Sequence, residues 1–153
     1  MTKTPERIQL YEHCMALLVQ RSEELRKAID SVQSSANAET KSTAGDKHET
    51  ARAMAQLEVE MLSRQLSEAN KSIESLQRLR NPDRTGIAQP GSVVVTSVGT
   101  FFIAVSIANL VVAGEKVIAI SPEAPLAKAI VGRKAGEEVQ WSGKQLAIIA
   151  VSN

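Results

Sequence analysis

Two series of apolar residues, repeating at alternating intervals of three and four, constrain the fold of this 153-residue chain more than any other feature. This alternation is typical of a helix that packs along a narrow seam against one partner helix. Two seams of similar length joined by a polar stretch predict an antiparallel helical hairpin, with arms of roughly 30 residues and about 45 Å. The first series is Ile8, Tyr11, Met15, Leu18, Ser22, Leu25, Ile29 and Val32; the second is Ala55, Val59, Leu62, Leu66, Ala69, Ile73 and Leu76.

The reversal between the two helices is predicted near residue 45. Gly45 gives the backbone the freedom that a turn needs, and Asp46 followed three residues later by Glu49 has the form of a capping box that opens a helix. We therefore expect the second helix to begin near Asp46 and to end at about Leu79, before Asn81-Pro82. Met54, Leu57 and Met61 are predicted to widen its apolar stripe near its start.

The first helix has a start signal of its own. Thr4 supplies an N-cap hydroxyl and Pro5 suits the first helical position, so the helix is predicted to run from there to Val32 or a little beyond.

The second half of the chain changes from helical to strand-like patterning. Apolar and β-branched runs at residues 93–98, 101–112, 116–120, 138–141 and 146–151 predict strands, and short glycine-containing breaks between them predict hairpin turns. Pro125 and Gly132 bracket one short helix. Phe101 and Phe102 are expected on opposite faces of the sheet, where one ring is free to remain exposed.

These patterns predict an α+β protein with two domains. Residues 1–80 form the hairpin, an antiparallel two-helix coiled coil with an acidic tip near residues 45–50; residues 81–91 form a linker, and residues 92–153 form a small domain with a mainly antiparallel sheet. Because the linker leaves few opportunities for contacts across the boundary, the part from about Thr85 onward is expected to fold alone.

The composition disfavours several classes of function. A net charge of +1 gives no general attraction to nucleic acid or acidic membranes, and an aromatic content of 3% leaves little for base stacking or ligand pockets. His13 and His48 lie in no cluster with metal-ligand spacing, and Cys14 has no partner cysteine. The longest apolar run is too short to span a membrane, so we expect a soluble cytoplasmic protein. The polar reversal between two matched seams favours pairing within one chain, so we expect a monomer when the protein is free. Without a metal-ligand cluster or a glycine-rich phosphate loop, no cofactor is expected in the free protein.

Two stretches of the sequence carry a resemblance to a known family. Residues 45–51, GDKHETA, are similar to a G-D-x-x-E-N-A turn, with Thr50 in place of asparagine. Residues 124–141, APLAKAIVGRKAGEEVQW, are similar to an S-P-I-A-R-x-L-x-G-K segment followed by a D/E-x-V strand, with Ala124 in place of serine. With the order of parts and the length, these motifs make the chain resemble the bacterial Gre family of transcription elongation factors, which stimulate transcript cleavage.

The resemblance implies both an architecture and a mode of action. It implies a coiled coil followed by an FKBP-like domain, with the coiled coil entering the secondary channel of RNA polymerase. The tip acids, here Asp46 and Glu49, would help to hold a catalytic magnesium ion and orient the attacking water near the 3′ end of the nascent RNA. The polymerase itself performs the hydrolysis, so the chain is not expected to be an enzyme.

The same resemblance implies a docking surface on the second domain. Residues 124–133 are its expected location, with Pro125 and Gly132 shaping the segment and Lys128 and Arg133 making polar contacts with the polymerase. The alternative is that the short helix only closes the open face of the sheet.

Other functions remain open. Asp46 and Glu49 also fit a structural helix cap without any further role. In addition, Arg52 and Ala53 stand where the family usually has glutamate and tyrosine. The alternative function is therefore a Gre-like regulator that enters the channel without stimulating cleavage. A peptidyl-prolyl isomerase, implied by an FKBP-like fold, is disfavoured because the aromatic residues for its pocket are too few.

Overall fold

The computed structural model describes residues 4–39 and 46–153, with side chains for residues 4–38 and 49–153. Two long helices, α1 (Arg7–Glu39) and α2 (Asp46–Arg78), come first. Each has 33 residues and is therefore about 50 Å long. The elements that follow are β1 (Val93–Thr96), β2 (Gly99–Ile103), β3 (Ala108–Val112), β4 (Glu115–Ile120), α3 (Pro125–Ile130), β5 (Glu138–Trp141) and β6 (Lys144–Ser152). The α+β class predicted from the sequence is confirmed.

The first helix begins two residues later than its sequence indicates. The backbone N–H of Glu6 donates to the side-chain oxygen of Gln9 at 3.1 Å, and the N–H of Leu10 donates to the carbonyl of Glu6 at 3.2 Å. Glu6 thus occupies the N-cap position that the sequence assigned to Thr4, and Gln9 makes the return bond of a capping box. The described part of α2 begins at Asp46, directly after residues that the structure does not describe, so the helix start near Asp46 stays a prediction. Among the helices that the structure describes, none is long and apolar enough to cross a membrane.

The six strands form one mixed sheet in the order β3-β4-β2-β1-β6-β5. Neighbouring strands run antiparallel except β2 and β4, which are parallel with Phe101 opposite Ile118. The single strand predicted over residues 101–112 is wrong: the run divides into β2 and β3, and β3 lies at the sheet edge outside β4. After Ile103 the chain passes to that edge, where β3 runs in the direction opposite to β2. The turn after β3 then reverses the chain again, so β4 lies between β3 and β2 and runs parallel to β2.

One face of the sheet carries a compact apolar core. Its buried members are Ala88, Val94, Phe101, Ile103, Ala127, Ile130, Val139, Leu146 and Ile148. Ala127 and Ile130 come from α3, and Ala88 comes from the stretch that was predicted to be a linker. The short helix therefore closes this face of the sheet.

The opposite face of the sheet is buried as well. Val93, Phe102 and Val117 alternate with the residues of the first core and are almost completely inaccessible. Phe101 and Phe102 lie on opposite faces as expected, but neither ring uses the freedom to remain exposed, since both are buried. Side chains on both faces of a sheet are buried only when other parts of the chain cover both faces. The residue pattern of a single strand does not predict that cover.

The chain divides into two compact units, and the first combines its two ends: Met1–Ala16 with Glu74–Asn153. Within this unit the Arg7 guanidinium donates to the carbonyls of Leu79 at 3.1 Å and Gly91 at 3.2 Å, and also to that of Arg80. The guanidinium of Arg80 in turn lies 5.6 Å from the centre of the Tyr11 ring. The beginning of α1 is thus bonded to the end of α2 and to the start of the sheet.

The segment before β1 is held in place by hydrogen bonds. Ala88 exchanges two backbone bonds of 2.8 Å with Gly132 and Arg133. The Asn153 side chain accepts from the N–H groups of Thr85 and Gly86 and donates to Ile87 and Ser92, with distances of 2.7 to 3.1 Å. Most of the predicted linker is therefore bonded to the sheet domain. Whether residues from Thr85 onward fold alone stays a prediction.

The second unit, Leu17–Ile73, contains the remaining parts of α1 and α2. Two hydrogen bonds join the helices within it: Arg21 donates to Gln65, and Ser22 donates to Asn70, each at 3.2 Å. Leu25 of the first predicted seam is buried, and so is Ala69 of the second. These bonds join the middle of α1 to α2, and antiparallel pairing of the two helices stays a prediction.

Candidate functional site

The predicted tip lies at the start of α2. Asp46 is the first residue of the helix, and the Glu49 side chain, one turn further on, is exposed to solvent. Carboxylates in the first turn are favoured by the partial positive charge of a helix N-terminus. Gly45 and the Asp46 side chain lie outside the described residues, so the structure gives the position of the pair along the helix and the exposure of Glu49.

The donor chemistry of this pair fits a magnesium ion. Magnesium prefers oxygen ligands and commonly takes only one or two carboxylates from a protein, with water and phosphate completing its shell. Positions three apart in a helix share one face, and this is the spacing of Asp46 and Glu49 in the sequence. Across residues 4–38 and 49–153, no group of three His, Cys, Asp or Glu side chains is arranged to hold a metal.

The residues that follow Glu49 are also exposed. Thr50, Arg52 and Ala53, the three positions near the tip that depart from the Gre pattern, all present their side chains to solvent. Arg52 follows Glu49 by three residues, so its positive charge lies on the same face of α2. That charge reduces the negative potential which a cation would meet at the tip.

The predicted docking segment has an inner and an outer side. Pro125, Lys128, Gly132 and Arg133 are exposed, whereas the intervening apolar residues of α3 enter the core. Ala124 provides no side-chain cap for this helix, as its departure from serine indicated. Arg133 forms an ion pair of 3.8 Å with Glu137, both largely exposed. The segment therefore offers cationic side chains on its outer side while its inner side fills the core.

Near the tip the two helices leave a groove that the sequence did not predict. This apolar groove has a volume of about 680 Å³ and is lined by Val32 and Ala36 of α1 and by Met54, Leu57, Glu58 and Met61 of α2. Met54, Leu57 and Met61 are 62%, 60% and 45% exposed, so they do not extend the seam as expected. On a helical wheel at 100° per residue, Met54, Leu57 and Met61 form a separate stripe whose centre lies roughly 120° around α2 from the centre of the seam residues.

A second groove between the helices is smaller and of mixed polarity, since Ala36, Ala55 and Val59 also line it. Its volume is about 280 Å³, and its polar lining comes from Gln33 and Asn37 of α1 and Arg52 and Gln56 of α2. Toward the start of α2 the two helices therefore leave one mainly apolar groove and one smaller groove that holds most of the polar lining.

The tryptophan, the two phenylalanines and the cysteine all belong to the packed interior or contact it. Trp141 packs against the first core, and both phenylalanine rings are buried. Cys14 is buried, and this burial raises the pKa of its thiol to about 11, which makes it a poor nucleophile at neutral pH.

Comparison with known proteins adds no relative to these observations. No protein-family model matches the chain, and no curated protein is significantly similar to it.

Proposed function

We propose that the chain is a transcription elongation factor of the Gre type, which binds bacterial RNA polymerase and stimulates cleavage of backtracked transcripts. The observation that carries the proposal is the exposed Glu49 on the first turn of a 33-residue helix that follows another of equal length. A rod that ends in carboxylates can deliver them into a narrow channel. The motif of residues 124–141 in the second half supports the same assignment.

The proposal includes two finer features of the fold. We propose that α1 and α2 pair as an antiparallel coiled coil; the bonds from Arg21 to Gln65 and from Ser22 to Asn70 support this. We also propose that the sheet domain is FKBP-like, supported by a mixed sheet with a single short helix over one face. Its isomerase activity is not expected, because Phe101 and Phe102 are buried and so do not line a pocket.

Asp46 and Glu49 would hold magnesium jointly with the polymerase active site. The ion would supply electrostatic stabilisation and water activation for phosphodiester hydrolysis, as the second ion of a two-metal site. The carboxylates of this chain contribute two oxygen ligands and negative charge, and α2 holds them at a fixed spacing. Lys128 and Arg133 would contact the polymerase outside the channel.

The test separates metal binding from helix capping. Asparagine caps a helix about as well as aspartate but lacks the charge that the metal needs. Asp46→Asn and Glu49→Gln should therefore reduce stimulated cleavage in a backtracked elongation complex at least tenfold, while unfolding free energy changes by no more than about 0.5 kcal/mol. Glu68→Gln, an exposed acid farther along α2, is the matched control. Normal cleavage by both tip variants would refute the metal role.

One observation favours a second candidate, a Gre-like regulator that enters the channel without stimulating cleavage. The exposed Arg52 places a positive charge on the face of the tip acids. If the parent protein binds polymerase and alters initiation but never stimulates cleavage, this function replaces the first. Arg52→Glu should then introduce measurable cleavage.

A further inference from the structure

The apolar groove between α1 and α2 has the character of a binding surface. Met54, Leu57 and Met61 lie on one stripe of α2, and on average more than half of the surface of each residue is exposed. Exposed apolar stripes of this kind are uncommon on monomers and mark interaction sites. Methionine is common at such surfaces because its flexible thioether adapts to different partners.

The shape of the groove fits a helix. The stripe from Met54 to Met61 covers two turns, about 10 Å at 1.5 Å per residue. Val32 and Ala36 of α1 form the other wall, so an occupant would contact both helices as the third member of a bundle. Helix-in-groove recognition uses anchors at this spacing on one apolar face.

The charges beside the stripe select among possible occupants. Glu58 lines the groove on the side of α1, and Glu60 is exposed on the other side of the stripe. Arg64, one turn beyond Met61, is the nearest exposed cation along the stripe. Two acids therefore flank the apolar anchors, and the complementary partner carries basic residues on both sides of its apolar face.

A second copy of this chain is a poor occupant. If two α2 helices met antiparallel with Met54 opposite Met61, Glu58 would lie within one residue of Glu58 of the other copy, and the two Glu60 residues would lie on the same side of the contact. If they met parallel, Glu58 would face Glu60 on both sides. Arg64 would meet Thr50 or Ala51 in the antiparallel case, which offers no compensating acid. Like charges at these positions oppose self-association.

We propose that the apolar groove binds an amphipathic helix of a protein partner, with an apolar ridge on Met54, Leu57 and Met61 and with lysine or arginine facing Glu58 and Glu60. This proposal does not depend on the tip acids or on the polymerase. Free protein is sufficient to test it.

The test uses the full chain labelled with ¹³C at the methionine methyl groups. The probe is an 18-residue amphipathic helical peptide with leucine on one face and lysine on both flanks; a second peptide has glutamate in place of lysine. The lysine peptide should shift the methyl signals of Met54 and Met61 and leave that of Met15 unchanged. It should bind at least tenfold more tightly than the glutamate peptide, and Glu58→Lys with Glu60→Lys should reverse this preference.

Two exposed apolar residues provide the matched pair of variants. Leu57→Ser should weaken binding of the lysine peptide at least tenfold, whereas Val98→Ser, at an equally exposed position in the sheet domain, should leave it unchanged. Equal binding of the two peptides, or binding without shifts at Met54 and Met61, would overturn the proposal. Self-association of the parent chain that Leu57→Ser abolishes, measured by sedimentation equilibrium, would overturn it in favour of a second copy.

Discussion

The guanidinium of Arg7 provides the most informative stability test in the molecule. It donates to three carbonyls, those of Leu79, Arg80 and Gly91. The first two follow the last residues of α2, where carbonyls lack partners within the helix and a cation is favoured by the helix dipole. Burial lowers the pKa of Arg7 from its ordinary value, with a smaller opposing contribution from Tyr11, and arginine remains charged at neutral pH.

We expect Arg7→Met to cost about 3 kcal/mol of unfolding free energy. A hydrogen bond to a charged group contributes roughly 1.5–3 kcal/mol, but one of the three bonds is exposed and bonds from one group do not add fully. Methionine preserves the apolar stem and leaves the carbonyls unpaired. Arg7→Lys should cost about half as much, because a single ammonium does not reproduce the planar fork.

Urea unfolding followed by Trp141 fluorescence measures this cost. The chain has one tryptophan, and it packs against the sheet core in the same unit as Arg7. At about 1.5 kcal/mol per molar urea, Arg7→Met should lower the midpoint by about 2 M. Arg26→Met, an exposed arginine of α1 in the other unit, is the control. Equal midpoints for the two variants would refute the reasoning.

Three further predictions concern the same unit. Burial raises the pKa of Cys14 from 9.0 to about 11, so its stabilising contribution is complete below about pH 9 and is lost as the pH rises through about 11; unfolding free energy should fall more steeply over this range in the parent than in Cys14→Ala. Ala113 has a φ of 53° and precedes Gly114 at 78°, an arrangement that favours Asn-Gly. Ala113→Asn should therefore increase the unfolding free energy and Ala113→Val should decrease it, by roughly 0.5–1 kcal/mol each, with the melting temperature shifting in the same direction. Asn153→Ala removes four hydrogen bonds to residues 85–92 and should cost about 2 kcal/mol in urea unfolding; a change below a fifth of this would contradict the structure.

The sequence predicted those elements whose signals are local. The bounds of β5, for example, agree with the predicted run at residues 138–141. The division between β2 and β3 was missed because residues 101–105 are apolar without interruption, and no local feature states which strand will lie beside β2. Burial of Phe102 depends on cover over the second sheet face, which is also a long-range property.

The candidate sites divide in the same way. The position of Glu49 in the first helical turn could be read from the sequence, since capping acts over three residues. The apolar groove was not predicted from the sequence, although the angular separation of Met54, Leu57 and Met61 from the seam could have indicated a second apolar surface on α2. An amphipathic pattern gives the width of an apolar stripe, but only the placement of a neighbouring helix decides which edge of that stripe is covered.

The bond from Arg7 to Gly91 also sets an order of events during synthesis. Its two ends are 84 residues apart in the chain, and at 5–20 residues per second the acceptor is made roughly 4–17 s after the donor. Throughout that interval Leu10 and Cys14, both buried in the finished unit, lack the sheet domain that belongs to their unit. Helix formation takes microseconds or less, so α1 is expected to exist on the ribosome long before its first turns acquire their final contacts, and nascent-chain chaperones have several seconds in which to bind them.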